Sequence, residues 1–294
     1  MSYHIPVLLH EAIEALNIVP GGRYIDGTLG GGGYTLEIAK RGGEVLSFDV
    51  DEDAIKHAHG RMDNEESWAK NHVHLVKANF RQMREVAQEK GFVGIQGVVA
   101  DLGVSSHQFD EGLRGFSFRN VGPLDMRMDQ SLEKSAKDLV NTLTSGELCA
   151  IFLGFGQERM AKRMADKIVQ VREVKPIETT QELADIAASV YPKGFHKIHP
   201  ATRMFQALRI AVNDELGALK DMLPQAVDLL ASGGRLVVVS FHSMEDEIVK
   251  EEMVRLMDEG KGKMITKKVV EPTEEEIESN PKSRSAKMRI FEKI

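Results

Sequence analysis

The chain has 294 residues and a formal net charge of −7, and its 42% hydrophobic and 28% charged residues argue against wholesale disorder. No stretch approaches the ~20 apolar residues of a membrane span, and no basic segment precedes the short apolar run near the N-terminus, so we expect a cytoplasmic protein without a membrane partner. The single cysteine, Cys149, excludes an internal disulfide framework and a cysteine-based zinc cluster, and we expect no metal site.

Strand and helix signals alternate from residue 9 to residue 101. Apolar residues at helical spacing predict a helix near Leu9–Leu16, and further helices are predicted over 35–40 and 53–61. The predicted strands are 23–26, 44–49, 73–76 and 97–101. This alternation implies βαβ units, and therefore a mostly parallel α/β sheet with helices on both faces.

The pattern changes from residue 106 to residue 213, where we find no convincing strand signal. Apolar residues recur at every fourth position over Met160–Ile168, and Thr179–Glu182 forms a capping box before another helix. The α/β pattern then returns, with helices predicted over 200–219 and 244–257 and strands over 235–241, 264–270 and 287–291. We therefore predict a core domain of residues 1–105 and 214–294, interrupted by a helical insertion over 106–213.

A glycine-rich segment, Gly27–Gly33, stands between the first predicted strand and the next helix, and we call it the glycine loop. Glycines at Gly30, Gly32 and Gly33 would let a ligand approach the main chain closely, although a glycine run alone also fits a flexible turn. The end of the next strand supports the ligand interpretation, because Asp49 lies 23 residues after Asp26, the spacing at which a carboxylate accepts hydrogen bonds from ribose hydroxyls.

Two cofactor classes fit this segment, a dinucleotide and S-adenosylmethionine. A dinucleotide needs a helix N-terminus for its pyrophosphate, whereas Asp26, just before the glycines, would repel a pyrophosphate and suit the ammonium group of S-adenosylmethionine. The following strand ends offer Asp49 for the ribose, Phe80 for the adenine and Asp101 near the methyl group. Each residue alone has an ordinary structural explanation, since Asp49 fits a helix cap and Phe80 fits a core position.

The sequence resembles the bacterial 16S ribosomal RNA (cytosine-N4)-methyltransferase H family, also called MraW. The resemblance runs from residue 4 to the end of the chain, with the motifs in the same order as in the family. The segments that carry it are His4–Leu9, Asp26–Gly30, Asp101–Ser106, Arg114–Phe118, Gly122–Asp129, His199–Arg203 and Ser240–Asp246. It implies a class I S-adenosylmethionine-dependent methyltransferase core, Rossmann-like, with an inserted helical domain for RNA recognition.

The implied reaction is N4-methylation of a cytidine in the decoding region of 16S ribosomal RNA, on the RNA or the small ribosomal subunit. The family's donor contacts correspond to Gly32, Gly33, Tyr34, Asp49, Phe80, Asp101 and Gln108. The family commonly has histidine where this chain has Tyr34, so a contact through the backbone would survive the change and a contact through imidazole would not. The residues leave the oligomeric state open.

Methyl transfer to a cytosine amine needs an acceptor for the amino protons as the nitrogen becomes cationic. Asp101 is the first candidate for this catalytic role, and His242, after the fifth strand of the core, is the second. An ordinary strand-end histidine is an equally good explanation of His242.

Two regions are candidates for the RNA interface. The segment Arg114–Asp129, which contains Arg127, has the aromatic and basic residues expected of a loop that covers the site, or it is a linker into the insertion. No acidic residue occurs between Asp185 and Asp214, where Lys193, Lys197, Arg203 and Arg209 predict a basic, RNA-facing surface.

Two other functions remain open from the residues alone. One is a nicotinamide-dependent oxidoreductase on a similar sheet, which Asp26 and the lack of a regular G-x-G-x-x-G motif oppose. The other is a non-catalytic RNA-binding assembly factor that keeps the same fold.

Overall fold

The structure, a computed structural model, describes residues 6–64, 71–105, 108–109, 111–192, 194 and 198–294. The chain divides into two compact units: a core unit of Met1–Ser105 with Leu216–Ile294, and an insertion unit of Ser106–Glu215. Lys193 and Lys197 of the predicted RNA surface lie outside the described residues. Among the described helices, none is long and apolar enough to cross a membrane.

The core unit contains one seven-stranded sheet with the order β3-β2-β1-β4-β5-β7-β6. Its strands are β1 (Arg23–Asp26), β2 (Glu44–Asp49), β3 (Val73–Lys77), β4 (Ile95–Asp101), β5 (Leu230–Ser240), β6 (Gly262–Met264) and β7 (Lys287–Lys293). The first five run parallel, and β7 pairs antiparallel with both β5 and β6. The predicted α/β, mostly parallel, Rossmann-like sheet is confirmed.

Helices cover both faces of this sheet. Those in the first part of the chain are α1 (Leu9–Leu16), α2 (Gly33–Lys40), α3 (Glu52–Asn64) and α4 (Met83–Glu89). Successive strand residues belong to opposite hydrophobic layers, because side chains alternate along a strand: Tyr24 packs in the layer that contains Ile13 of α1, whereas Ile25 packs in the layer that contains Met83 of α4. A parallel sheet buried on both faces places its strand ends, rather than its faces, at the surface where a ligand can reach them.

The insertion unit is helical in the described residues. Its helices are α5 (Ala136–Thr142), α6 (Ser145–Gly156), α7 (Ala161–Arg172), α8 (Thr180–Val190) and α9 (Thr202–Asn213). Capping boxes begin α5, α6 and α8, the last of them at the predicted residues Thr179 and Glu182. In α7 the apolar face is buried through Met164 and Ile168, as its spacing predicts.

The remaining helices are α10 (Glu215–Leu229), α11 (Ser243–Asp258) and α12 (Glu274–Ser279). The single helix predicted over 200–219 is wrong, because Asp214 adopts a left-handed conformation with φ of 48° and separates α9 from α10. The predicted strand over 264–270 is also wrong in its bounds. Pairing there is limited to the short edge strand β6 and one isolated bridge between Val270 and Met288.

Candidate functional site

The glycine loop connects the end of β1 to the start of α2 and makes backbone hydrogen bonds to the strands on both sides of β1. Its N–H groups at Gly27 and Leu29 donate to the carbonyls of Val99 in β4 (2.8 Å) and Phe48 in β2 (2.8 Å). Gly30 and Gly32 have positive φ angles of 48° and 75°, which L side chains rarely adopt. The glycines are therefore required by the turn itself, in addition to any ligand.

Asp26 ends β1 and is completely buried below the loop. Its Oδ1 accepts from the N–H of Thr28 (3.1 Å) and its Oδ2 accepts from the hydroxyl of Thr35 (2.7 Å), which also lies 2.7 Å from Ser47 Oγ. Burial raises the pKa of Asp26 to about 6, against the opposing effect of these hydrogen bonds. The geometry gives Asp26 a role inside the loop, and its contact with a donor ammonium stays a prediction.

Asp49 ends β2 and is half-buried, with its carboxylate toward the glycine loop. Its Oδ2 accepts from the N–H of Gly30 (2.9 Å) and its Oδ1 from the N–H of Asp51 (2.8 Å). Burial raises its pKa to about 6, with further contributions from the charges of Asp51 and Asp26. Each oxygen keeps a second lone pair, so the fixed carboxylate can accept hydrogen bonds from two neighbouring hydroxyls.

Phe80 and Asp101 follow β3 and end β4, respectively, and both are half-buried. Phe80 begins a short 3-10 turn that Asn79 caps, and it packs against the hydrophobic layer around Met83. The backbone N–H of Asp101 donates to the hydroxyl of Thr28 at 2.6 Å, which ties the end of β4 to the glycine loop. Because β1 to β4 are parallel and adjacent, the structure brings these residues to the same edge of the sheet as Asp49.

Gly33 and Tyr34 are the first residues of α2. A Cβ at Gly33 would lie 2.1 Å from the ring of Pro6, so this glycine is required by the packing of the N-terminal segment. The Tyr34 side chain is 3% exposed, and its hydroxyl donates to the carbonyl of Val7. The phenol therefore faces the protein interior, which leaves the backbone for a donor contact at this position.

His242 and Gln108 are the other predicted residues of the active site. His242 is the N-cap of α11: its Nδ1 accepts from the N–H of Glu245 (3.4 Å), and its Nε2 lies 3.1 Å from Glu245 Oε1. This arrangement matches the ordinary strand-end explanation, and contact with the substrate stays a prediction. Gln108 belongs to the insertion unit, where it is buried, and its donor contact also stays a prediction.

The predicted RNA-binding arginines differ in the ion pairs and hydrogen bonds that they make within the protein. Arg127 makes a bidentate ion pair with Asp125 (2.8 and 2.9 Å) and donates to the Leu132 carbonyl (2.7 Å). Arg209 pairs with Glu215 at 2.8 Å, where both side chains are largely buried. Arg203 donates only a long bond of 3.2 Å to the Gln157 carbonyl, among the contacts of the described residues.

The segment Arg114–Asp129, predicted to be a cover or a linker, makes hydrogen bonds to other residues of the insertion unit. The N–H of Leu124 donates to the Glu178 carbonyl (3.0 Å), and the N–H of Gly122 donates to the Thr180 hydroxyl (3.1 Å). A Cβ at Gly122 would lie 2.0 Å from the carbonyl oxygen of Gly112, so the segment also packs closely against the residues that precede it. This part of the segment is therefore packed structure, and its role as a cover stays a prediction.

Sequence reasoning missed the hydroxyl residues that organise the site. Thr28 bonds to Asp101, while Thr35 links Asp26 to Ser47. Their position within and directly after the glycine loop was the available signal, because hydroxyl groups beside a buried carboxylate can satisfy it. Tertiary contacts decide which bond each one makes.

Fold and site together define a class I, Rossmann-like methyltransferase, with a glycine loop and acidic strand ends at one edge of a mostly parallel sheet. The chain belongs to the MraW methylase family, which matches residues 1–294. This membership decides against the nicotinamide-dependent oxidoreductase.

Relatives cover essentially the whole chain. The ribosomal RNA small subunit methyltransferase H of Clostridioides difficile (strain 630) is 46% identical over 312 residues, covering 99% of each chain. The protein of the same name from Carboxydothermus hydrogenoformans is 47% identical over 308 residues, covering 99% of this chain and 98% of its own. A methyltransferase structure from Streptococcus mutans in complex with SAH has a TM-score of 0.46 and 11% identity, covering 99% of each chain.

Proposed function

We propose that this protein transfers a methyl group from S-adenosylmethionine to the N4 amine of a cytidine in the decoding region of 16S ribosomal RNA, in the cytoplasm. The observation that carries the proposal is the acidic edge of the sheet, where Asp49 and Asp101 flank a glycine loop in a chain of the MraW methylase family. The names of the relatives, ribosomal RNA small subunit methyltransferase H, support the substrate class.

The residues at this edge fit the methyl donor. Asp49 is held by two backbone N–H groups and keeps lone pairs for ribose hydroxyls, and Phe80 stands after the next strand for the adenine. Asp26, Asp49 and Asp101 together oppose the binding of a pyrophosphate and favour a ligand with a cationic end. The bound donor supplies an activated methyl group on a sulfonium, so this chain's residues have to orient and desolvate rather than activate it.

Asp101 is our proposed acceptor for the amino protons of the cytosine. Its main chain is fixed by the hydroxyl of Thr28, and its position at the end of β4 is beside the glycine loop. An acceptor aimed at the amine stabilises the developing cation more than the ground state, which is what accelerates the transfer. The target base has to leave its stack to reach such a site.

We propose that the insertion unit contributes the RNA contacts, with Lys193, Lys197 and Arg203 as the principal cations. Arg127 and Arg209 support this unit through internal ion pairs, so their contribution to phosphate binding is expected to be smaller. Arg159 and Arg163 are exposed and make no ion pair within the described residues. They extend the set of cations available to a polyanion.

The test uses the purified protein, labelled S-adenosylmethionine and small ribosomal subunits that lack the modification, with naked 16S RNA as a second arm. We expect label on N4 of one cytidine in the decoding region, mapped by nuclease digestion and mass spectrometry. Label on carbon-5, or no label while the subunit binds, would contradict the proposal, and the second result would support the non-catalytic assembly factor. Asp101→Asn should lose transfer while keeping affinity for S-adenosylhomocysteine within about tenfold.

A further inference from the structure

Residues 6–8, which we call the strap, lie directly against the glycine loop. The ring of Pro6 occupies the space where a side chain on Gly33 would begin. Val7 and Leu8 are 2% and 0% exposed, and Leu8 has a left-handed backbone with φ of 53°, which is unusual for a branched residue. Such a conformation persists only where surrounding contacts hold it in place.

One of these contacts comes from the start of α2. The hydroxyl of Tyr34 donates to the Val7 carbonyl, and burial keeps the pKa of this phenol well above its ordinary value, so it stays a neutral donor. Tyr34 directly follows Gly33, the last residue of the glycine loop. The strap is thus joined to the loop by a hydrogen bond and by the close packing of Pro6 on Gly33.

A second contact comes from near the opposite end of the chain. The N–H of Leu8 donates to Oε1 of Glu276 at 2.7 Å, across 268 residues of sequence. Glu276 lies in α12 and is half-buried, whereas its neighbours Glu275 and Glu278 are exposed. A bond from a backbone N–H to a carboxylate is roughly twice as strong as a neutral one.

We propose that Glu276 is a positioning residue for the donor-binding loop and acts through the strap. Without the carboxylate, Leu8 loses one of the contacts that hold its left-handed conformation, the strap relaxes, and Gly33 and Tyr34 lose part of their support. The loop amides are then less well ordered before the donor arrives, so donor affinity falls while the transfer step at saturating donor is unchanged. The proposal rests on the proposed function, since it assumes that the glycine loop binds S-adenosylmethionine.

The experiment measures the affinity for S-adenosylhomocysteine by calorimetry on the full chain, well below the unfolding temperature. We expect Glu276→Ala to weaken binding about tenfold, less than the full contribution of the lost charge-assisted hydrogen bond, because only part of it reaches the loop. Glu276→Gln keeps an acceptor oxygen and should bind within about threefold of wild type. Glu275→Ala, on the exposed side of the same helix, is the matched control and should bind like wild type.

Hydrogen exchange supplies a readout other than affinity. Amides of residues 30–35 should exchange faster in Glu276→Ala than in the control. Tyr34→Phe removes the other anchor of the strap, so the double variant should be no weaker than the weaker single variant if both act through one strap. Additive losses, or unchanged binding in Glu276→Ala with only a lower melting temperature, would overturn the proposal.

The two proposals fail in different ways. Wild-type protein that does not bind S-adenosylhomocysteine refutes the proposed function. Wild-type protein that binds it, with Glu276→Ala binding equally well, refutes only the role of Glu276. Should Glu276→Ala not fold, Glu276→Gln and Tyr34→Phe decide: near-wild-type binding by the first and weaker binding by the second supports the strap, and equal binding by both overturns it.

Discussion

The buried carboxylate of Asp26 makes an unusual prediction about how stability depends on pH. Burial raises its pKa from an ordinary 3.8 to about 6, and the nearby charge of Asp101 adds to the shift. The folded protein therefore binds a proton more tightly than the unfolded chain does. The free energy of unfolding gains from this group at low pH and loses that gain as pH rises through about 6.

Substitution of Asp26 by asparagine removes this titration. From about pH 8 to about pH 5, the shift from 3.8 to about 6 adds about 1.4 kcal/mol to the stability of the wild type but nothing to the variant. We therefore expect Asp26→Asn to cost more at the lower pH than at the higher, by about this amount. The charge of Asp26 also helps to raise the pKa of Asp49, so the variant lowers that pKa. Asp49 then adds less stability at the lower pH, which increases the cost of the substitution there.

Urea unfolding followed by circular dichroism at the two pH values provides the measurement. The control is Asp246→Asn: burial alone would raise the pKa of Asp246, but its bonds with Arg289 (2.6 and 3.1 Å) and the charge of Lys287 bring it below the ordinary value. Asp246 is thus ionised in both states throughout this range, and its variant should show a pH-independent cost. A cost for Asp26→Asn that is constant, or that grows toward high pH, would refute the reasoning.

Three further predictions concern the edge of the sheet. Thr28→Val should lower the free energy of unfolding by about 1–3 kcal/mol, because the N–H of Asp101 loses its acceptor, and Thr28→Ser should recover most of it in the same urea titration. His242→Asn should keep the cap of α11 and the transfer rate, while His242→Ala should lower the free energy of unfolding by about 1 kcal/mol. A lower transfer rate at full stability in His242→Asn would instead place the imidazole at the substrate. Calorimetric affinity for S-adenosylhomocysteine should rise as pH rises through about 6, where Asp49 ionises and becomes a full acceptor, and this dependence should flatten in Asp49→Asn.

Much of the core fold was predictable because its short strands are rich in apolar residues, alternate with helices and have clear ends. β1 and β2 have the predicted bounds, since polar or glycine-rich turns border both. The break at Asp214 was not predictable from periodicity, because apolar spacing continues across it while a single left-handed residue ends the helix. β6 was mispredicted because its edge position leaves only one neighbour to define its length.

The residue types of the candidate site could be predicted, but their hydrogen-bond partners could not. The alternation of strands and helices places Asp26, Asp49 and Asp101 at strand ends, which sequence alone can establish. Both oxygens of Asp26 are nevertheless bonded within the protein, one to Thr28 of the glycine loop and one to Thr35 of α2. Arg209 similarly looks available in an acid-free stretch, yet the turn at Asp214 returns Glu215 to within 2.8 Å of it.

For the proposed donor site, the same contacts show how the glycine loop is held in place before a ligand binds. Carboxylates placed close together at one sheet edge repel one another and are costly to bury, so the loop between them needs support that does not come from the ligand. The hydrogen bond between Asp26 and Thr35 joins the end of β1 to α2, on either side of the loop. The strap, which Glu276 anchors, packs against the loop at Gly33. With both in place, the donor's binding energy goes less into ordering the loop and more into affinity. A loop supported from two sides should therefore tolerate the loss of either support better than the loss of both.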